Sequence, residues 1–391
     1  MIGKKLVAIA AVVAAGISFP AWAGDLGGNC CADLEERIAE LETTTARKGN
    51  RKMSVTLYGQ VNMAVVHHDV DAGPGFASRL IGDGSQSPSV FGFTGTAKVN
   101  PNTSMGFKFE FGVDPNRASI SLLGLNTDPI ELRHAVVWLE HSGMGRVSLG
   151  HTSTATDGIV EISVANTAVA AKMLDLEPVN SRFLFGLVNL PFDGGRRDII
   201  RYDSASLGGL QVSASYGNGD QIGPLAILGE GDVWDVAVRY AGEFSGFRVA
   251  AGVGFRNEDH NTLGPLAFAT AKSSLSGSAS IMHTGSGLFA SGAAGRVTDF
   301  GGPASGVDLT GMHGQAGWEK NVTGLGSTTL YGEYAKLDIT GAGDDINMMG
   351  VGLVQAIDAA AADVYVNWRG FDLGGGSDQV NVFMGGVRIR F

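Results

Sequence analysis

The sequence predicts an all-β protein: a sixteen-stranded antiparallel transmembrane β-barrel with an inward-folded third loop, preceded by a short N-terminal helix. Three observations predict this fold. They are a period-two pattern from Ser54 to the last residue, connections that are alternately short and long, and an export signal at the N-terminus. The composition agrees, because 59 glycines in 391 residues, 17% charged residues and a mean hydropathy of +0.12 fit neither a disordered nor a helical chain.

Residues 1–23 have the form of a signal peptide. Lys4 and Lys5 precede an apolar stretch, and Ala21-Trp22-Ala23 has the small-x-small form that signal peptidase cuts. The alternative is an uncleaved membrane anchor, but the apolar stretch is shorter than the roughly 20 residues that a spanning helix needs. We therefore expect export through the Sec pathway and a mature chain that begins at Gly24.

The net charge and the cysteines argue against two further classes of protein. A formal net charge of −11 argues against nucleic acid as the partner, whereas an acidic wall would favour cations. Cys30 and Cys31 are adjacent and lie outside the main body, so no disulfide framework holds the fold together. A cross-link between chains and a free thiol pair both stay open. We expect no cofactor and no metal.

Residues 24–52 form a separate periplasmic segment with a helical pattern from Asp33 to Thr45. Asp33 and Glu36 make a capping pair, and apolar residues recur at spacings of four and three, at Leu34, Ile38 and Leu41. This coiled-coil-like seam is too short to be stable alone, so it needs either sister chains or a periplasmic partner. A frayed amphipathic tail is the alternative.

From Ser54 onward, each segment has one apolar face and one polar face. The pattern is clearest from Phe247 to Phe255, where apolar residues alternate with Arg248, Gly252 and Gly254. Sixteen such segments begin near residues 54, 89, 103, 131, 144, 196, 208, 231, 245, 270, 287, 308, 326, 345, 359 and 377. An even number is what bacterial single-chain barrels require, so residues 53–391 are predicted to form the barrel.

The connections between these segments alternate in length. Pro101-Asn102 and Ser142-Gly143 are short, whereas His67 to Pro88 and Asp114 to Ile130 are long. Short turns on one side and long loops on the other are typical of outer-membrane barrels, whose turns are periplasmic. A soluble β-sandwich would share the period-two strands but has no reason for this alternation.

One connection, residues 152–195, is far longer than a loop normally is unless it has a function. It contains apolar residues that need burial, namely Ile159, Ile162, Val164, Val169, Met173, Leu174, Phe183 and Phe185. The nearest place where these side chains could be buried is the barrel interior. We therefore expect this loop to fold inward and to narrow the interior.

Several short segments then carry a family resemblance. They are Val55-Thr56-Leu57-Tyr58-Gly59, Phe91-Gly92-Phe93-Thr94-Gly95, Met144-Gly145-Arg146-Val147-Ser148-Leu149-Gly150, Arg201-Tyr202-Asp203-Ser204 and the terminal Arg388-Ile389-Arg390-Phe391. Each is weak alone, but in this order they make Ser54 to Phe391 resemble the general diffusion porins of Gram-negative bacteria, of the alphaproteobacterial type.

The resemblance implies a homotrimer in the cell outer membrane, in contact with its lipid and lipopolysaccharide. Each barrel would hold a water-filled channel for passive diffusion of small hydrophilic solutes and ions. The third loop would form a constriction, in which acidic groups on the loop face basic groups on the opposite wall and sort solutes by charge.

Carried over by position, the resemblance assigns a set of pore residues. The acidic side would be Asp157, Glu161, Asp175 and Glu177, and the basic side Arg133, Arg146, Arg197 and Arg201. Strand parity makes Gln60, Asn62, Lys108 and Glu110 lumen-facing. Gln60 and Thr94 stand where many members carry lysine, and His151 where arginine is common, so we expect mild cation selectivity. For any one charge, the alternative is an ordinary solvated residue.

The last strand ends on Val387, Ile389 and Phe391, which share one parity. This resembles the element that the outer-membrane assembly machinery recognises, and a lipid-facing barrel edge is compatible with it. Two other functions compete. His67, His68 and Asp69 lie at the start of a long loop without a readable nucleophile, which argues against an enzyme. The N-terminal helix would make the barrel an envelope tether or structural anchor.

Overall fold

The computed structural model of the protein describes residues 53–69, 79–84, 86–113, 130–176, 192–218, 231–259, 273–300, 307–340, 345–372, 374 and 379–391. The predicted signal peptide and N-terminal helix lie outside these residues, as do Phe183, Phe185 and Glu177. Within the described ranges, no helix is long and apolar enough to span a membrane.

The described residues form seventeen strands and one short 3-10 turn at Asp358–Ala360. The strands are β1 (Ser54–His68), β2 (Arg79–Asp83), β3 (Val90–Asn100), β4 (Thr103–Val113), β5 (Ile130–His141), β6 (Gly145–Ser153), β7 (Arg196–Asp203), β8 (Leu210–Gly217), β9 (Val233–Phe244), β10 (Phe247–Glu258), β11 (Ser273–His283), β12 (Leu288–Phe300), β13 (Val307–Lys320), β14 (Thr328–Ile339), β15 (Ile346–Ile357), β16 (Ala362–Asp372) and β17 (Val380–Arg390).

All pairings are antiparallel, and the sheet closes where β17 pairs with β1, from Gln60 opposite Arg390 to His68 opposite Val382. On its other edge, β1 pairs with β3 through Ser54–Gln60 and with β2 through Met63–His67. β2 and β3 are therefore two pieces of one barrel strand. The seventeen pieces make a closed barrel of sixteen strands, which confirms the predicted number.

Exposure alternates along the strands as a barrel in lipid requires. On β1, Val61 and Val65 are each 52% exposed, whereas Asn62 and Ala64 are at most 2% exposed. Large apolar side chains are exposed in the same way on the other strands, including Leu149, Val253 and Leu330. Soluble monomers rarely expose so extensive an apolar surface, whereas a bilayer would cover it.

The short connections follow ordinary turn chemistry. β9 and β10 are joined by Ser245 and Gly246, which both have positive φ values, 49° and 78°. Positive φ at both central positions is the type I′ arrangement, whose twist matches that of paired strands. Pro101-Asn102 joins β3 to β4 as the sequence predicts.

The third long connection packs against one half of the barrel wall. Its described residues Val169, Ala171 and Leu176 belong to an apolar cluster with buried side chains of β1, β11, β12 and β14–β17. Ile159, Met173 and Leu174 belong to a second cluster, with side chains of β9 and β12–β15.

Candidate functional site

The beginning of the third loop is held by one carboxylate on β9. Asp235 is fully buried, and its Oδ1 accepts the backbone N–H of Ala155 (3.1 Å). Its Oδ2 accepts both the N–H and the hydroxyl of Thr156 (each 2.7 Å), and the Ser215 hydroxyl donates to Oδ1. Four donors on one carboxylate satisfy a charge that would be costly to bury alone.

Two arginines bind the carbonyls of the same stretch. Arg201 Nη1 donates to the carbonyls of Ser153 (2.8 Å) and Thr154 (3.0 Å). Arg239 donates to the carbonyls of Ala155 and Asp157, both at 2.8 Å. Because these bonds go to the backbone, they fix the path of the loop without depending on its side chains.

The middle of the loop lies against the serine-rich strand β11. Ser278 accepts the N–H of Ile162 (3.2 Å) and donates to the carbonyl of Ile159 (2.7 Å), while Ser280 accepts the N–H of Val164 (3.0 Å). Small side chains are needed for this approach. A Cβ on Gly252 of β10 would lie only 2.7 Å from the terminal methyls of Ile159 and Ile162.

Residues 170–175, near the end of the described loop segment, contact a buried ion network on β13, β14 and β16. Glu333 accepts from Arg369 Nε (2.8 Å) and pairs with His313 Nε2 (3.1 Å). His313 Nδ1 accepts the N–H of Leu174 (2.8 Å), and Arg369 Nη1 donates to the carbonyl of Asp175 (3.1 Å). Gln315 and Asn367 donate to the carbonyls of Ala171 and Ala170. The described loop segment, residues 154–176, is thus fixed near both of its ends.

A cavity of about 810 Å³ lies between the loop and β4–β10. Its charged lining is mainly basic, with Lys108, Arg146, Arg201 and Arg239 against Asp157 and Asp203. The Arg146 guanidinium stacks on the ring of Trp138, 4.0 Å from its centroid. A guanidinium held by an aromatic face keeps its charge and some of its donors available.

A second cavity of about 490 Å³ is lined by Tyr58, Gln60, Gln86, Ser87, Pro88, Glu110, Arg133, Lys172 and Arg390, among others. Glu110 is the centre of its polar wall. It pairs with Arg133 Nε (3.0 Å) and Lys108 Nζ (2.9 Å) and accepts a hydrogen bond from the Tyr58 hydroxyl (2.9 Å).

Arg133 reaches Glu110 through a break in the strand register. Glu110 pairs with His134, but the next residue, Phe111, pairs with Leu132, so Arg133 is an extra residue on β5. If inward and outward side chains alternated strictly along β5, Arg133 would face outward like the exposed Val137. The β-bulge turns it toward Glu110 instead.

The structure brings some of the predicted pore residues together and separates others. Asp157, Lys108, Arg146 and Arg201 line the larger cavity, whereas Glu110, Arg133 and Gln60 line the smaller one. Arg197 lies elsewhere and pairs with the buried Glu258 at 3.5 Å. Asn62 is fully buried and lines neither cavity.

The loop acids differ in environment. Glu161 pairs with Lys172 at 2.8 Å. Burial opposes ionisation of Asp157, but a hydrogen bond from Ser153 and the charge of Arg196 outweigh it and lower its pKa. Burial raises the pKa of Asp175 to about 6, against the opposing charge of Lys172. Asp175 lines neither cavity.

The sequence analysis did not assign Arg239, Lys172 or Asp235 to the site. Strand parity could have indicated two of them, because Arg239 and Asp235 fall on the polar face of β9. Lys172 had no such signal, since it lies in an irregular loop where no period fixes its direction. Its contact with Glu161 depends on the folded path of the loop.

A closed antiparallel barrel with an apolar outer surface and charged internal cavities defines a channel-forming membrane protein. A sequence model of the Gram-negative porins matches residues 6–388. The chain belongs to the Gram-negative porin family and is an outer-membrane protein.

Solved structures show the same fold at low sequence identity. The anion-selective porin from Comamonas acidovorans is 16% identical with a TM-score of 0.59, over 87% of this chain and 100% of that one. In-vitro folded OmpT of Vibrio cholerae is 16% identical with a TM-score of 0.59, over 88% of this chain and 99% of that one. Salmonella typhi OmpF in complex with daunomycin is 13% identical with a TM-score of 0.56, over 87% of this chain and 98% of that one. No curated protein sequence matches the chain.

Proposed function

We propose that the protein forms a water-filled pore in the outer membrane through which small hydrophilic solutes and ions diffuse passively, with a preference for anions. One observation supports the preference. Among the described residues, seven cations line the two cavities, namely Lys108, Arg133, Arg146, Lys172, Arg201, Arg239 and Arg390, against the three acids Glu110, Asp157 and Asp203. A narrow aqueous gap between low-dielectric walls concentrates the field of such an excess.

The wall charge and the net charge of the chain favour opposite ions. The mild cation selectivity predicted from Gln60, Thr94 and His151 agrees in sign with the net charge of −11. Several acids that contribute to that charge are buried in ion pairs, including Glu333 with Arg369 and Asp363 with Arg388, and do not face the cavities. An ion in the pore interacts with the lining residues, so we propose anion preference in place of cation preference.

The third loop narrows the pore in this proposal. Its described part hydrogen-bonds with Ser215, Asp235, Ser278, His313 and Arg369, all of which are buried. These side chains lie on the strand face opposite the exposed apolar residues, which supports an inward position for the loop. The remaining passage runs through the two cavities, of which the larger lies along β4–β10 and the smaller extends to β1.

Loop acids contribute little opposing charge to this passage. Asp157 lines the larger cavity, Glu161 lines neither cavity but offsets the charge of Lys172 with which it pairs, and Asp175 lines neither. The transverse field therefore depends mainly on the cationic wall. The porin from Comamonas acidovorans, which shares the fold, is described as anion-selective, and this agrees with the proposal.

We also propose a homotrimer surrounded by outer-membrane lipid and lipopolysaccharide. A trimer form of OmpT from Vibrio cholerae shares the fold at 16% identity and a TM-score of 0.52. Val387, Ile389 and Phe391, exposed by 44%, 51% and 63%, lie on the lipid-facing side of the last strand and its end, where assembly factors would reach them.

The selectivity proposal is tested by reversal potentials in planar bilayers across a KCl gradient. The refolded mature protein should give the sign expected for chloride preference. Lys108→Gln with Arg146→Gln should reduce that potential by about half, since two lining charges are removed. Arg296→Gln removes one charge from a side chain that is 65% exposed and lines neither cavity, and should leave it unchanged. A cation-signed potential in the unmodified protein would overturn the proposal.

A further inference from the structure

The barrel strand made of β2 and β3 is interrupted by a short segment that the sequence did not predict. We call its described residues, Gly84 and Gln86–Ser89, the strand break. β1 pairs with β2 and β3 on either side of it. The strand break therefore occurs where a continuous strand would otherwise complete the wall.

The strand break is firmly attached at its two ends. Ser89 donates its N–H and its hydroxyl to the buried carboxylate of Asp83, at 2.9 and 2.5 Å. Gly84 N–H donates to the carbonyl of Asn62 (3.1 Å), and the N–H of Asn62 donates to the Ser89 hydroxyl (2.9 Å). Side chains thus replace the missing ladder hydrogen bonds, as expected for a built loop rather than a frayed strand.

The strand break lies on the inner side of β1. Gln60 Nε2 donates to the Ser87 hydroxyl (2.9 Å) and to the carbonyl of Pro88 (2.8 Å), and Asn62 Nδ2 donates to the carbonyl of Ser87 (2.9 Å). Arg388 of β17 donates to the same hydroxyl (2.9 Å). Strand parity predicted Gln60 and Asn62 as lumen-facing, and their amides bind the strand break.

The Gln86 side chain connects the strand break to the third loop by hydrogen bonds. Its side chain is fully buried, and its Oε1 accepts the N–H of Lys172 (2.6 Å) while its Nε2 donates to the carbonyl of Asp175 (3.4 Å). Arg369 of β16 donates to the same carbonyl (3.1 Å). Loop residues 172–175 are therefore held between the strand break and β16.

We infer that the strand break is a second pore-narrowing element and that Gln86 joins it to the third loop; the inference rests on the proposed pore function. Gln86, Ser87 and Pro88 line the smaller cavity together with Glu110 and Arg133. One side of this passage is consequently formed by the strand break together with Tyr58 and Gln60 of β1. Its width depends on the strand break as well as on the loop.

Thiol modification tests whether Ser87 lies in the ion path. Ser87→Cys would be made in the full mature chain with Cys30→Ser and Cys31→Ser, and treated with a bulky methanethiosulfonate reagent. We expect single-channel conductance to fall by about half, because the adduct occupies the passage. The control is Ala290→Cys, at an exposed position between the buried Phe289 and Ser291. Modification of Ser87→Cys that is verified by mass and leaves conductance unchanged would overturn the inference.

Removal of the Gln86 side chain tests the joining role and does not depend on thiol access. In liposome-swelling assays, Gln86→Ala should raise the permeation rate of the largest admitted sugars about two-fold. Gln355→Ala is the matched control, since Gln355 bonds Thr328 at the barrel rim and lines neither cavity. Equal rates for Gln86→Ala and the unmodified pore would contradict the joining role. A complete absence of conductance in the unmodified protein would instead contradict the pore proposal itself.

Discussion

The two halves of the barrel interior use charge in different ways. Along β13–β16, the charged side chains that hold the third loop are buried and matched, as in Arg369, which is 1% exposed and pairs with Glu333 through two nitrogens. Along β4–β10, the cavity wall has more cations than acids, and Arg146 stacks on an aromatic ring. A buried charge needs a partner, whereas a water-facing charge does not. Charges of the first kind therefore position the loop, whereas in the proposed pore the cavity-lining cations act on permeating ions, and Arg201 and Arg239 also hold the loop backbone.

Removing one member of the buried network should have the largest effect. Arg369→Leu leaves Glu333 without its main counter-ion and frees two loop carbonyls, so we expect a loss of about 3–5 kcal/mol in the free energy of unfolding. Urea unfolding in detergent micelles measures it. Arg369→Leu combined with Glu333→Leu should recover part of the loss. If Arg369→Leu alone were as stable as the unmodified protein, the buried ion pair would not stabilise the fold, and the proposed difference between the two halves would be contradicted.

Asp235 extends the matched-charge principle to the start of the loop. Asp235→Ala leaves the N–H groups of Ala155 and Thr156 without their acceptor, and we expect a loss of roughly 3 kcal/mol. The loosened loop should also raise open-channel current noise in bilayer recordings. Unchanged noise together with reduced stability would show that Asp235 supports the barrel rather than the loop.

The titration of Asp175 should make the stability of the protein depend on pH. Its pKa is raised from 3.8 to about 6 by burial, so the folded protein keeps a proton that the unfolded chain releases. Stability should therefore fall as the pH rises from about 4 to about 6, by on the order of 2 kcal/mol. Asp175→Asn should remove this fall. Urea midpoints at several pH values test it, and identical pH profiles for both proteins would contradict the assignment.

Two glycines give the smallest and most local test. Gly252→Ala places a methyl 2.7 Å from Ile159 and Ile162, and we expect a loss of about 1–3 kcal/mol. Gly292→Ala is the control, because its Cβ would have no neighbour closer than the carbonyl of His313 at 3.9 Å. It should change stability by less than about 1 kcal/mol. Equal losses from both variants would contradict close packing of the loop against β10.

The barrel itself was predictable because strand periodicity is a local property. The apolar positions of β1 and β10, and the turn at Pro101-Asn102, follow from neighbouring residues alone. The division of one barrel strand into β2 and β3 was not predictable. Its residues, rich in glycine and serine and including Pro88, look like a loop, and only their contacts with Asn62 and the third loop reveal their position.

The candidate site was less predictable than the fold because it depends on contacts between distant residues. Arg133 joins Glu110 through a bulge that period two cannot anticipate. Net charge does not report the charge of the cavity lining, since it counts Glu333 and Asp235, which are buried against partners, equally with residues that line the cavities. Selectivity follows from the pore lining, and the lining requires the folded path of the loop.

The central claim is that the cationic wall along β4–β10 determines which ions pass. The most direct test is the reversal potential of the refolded mature protein in a planar bilayer with a KCl gradient, measured for the unmodified pore and for Lys108→Gln with Arg146→Gln. The account predicts chloride preference that falls when the two lining charges are removed. A potassium-signed potential, or a chloride preference unchanged by both substitutions, would contradict it.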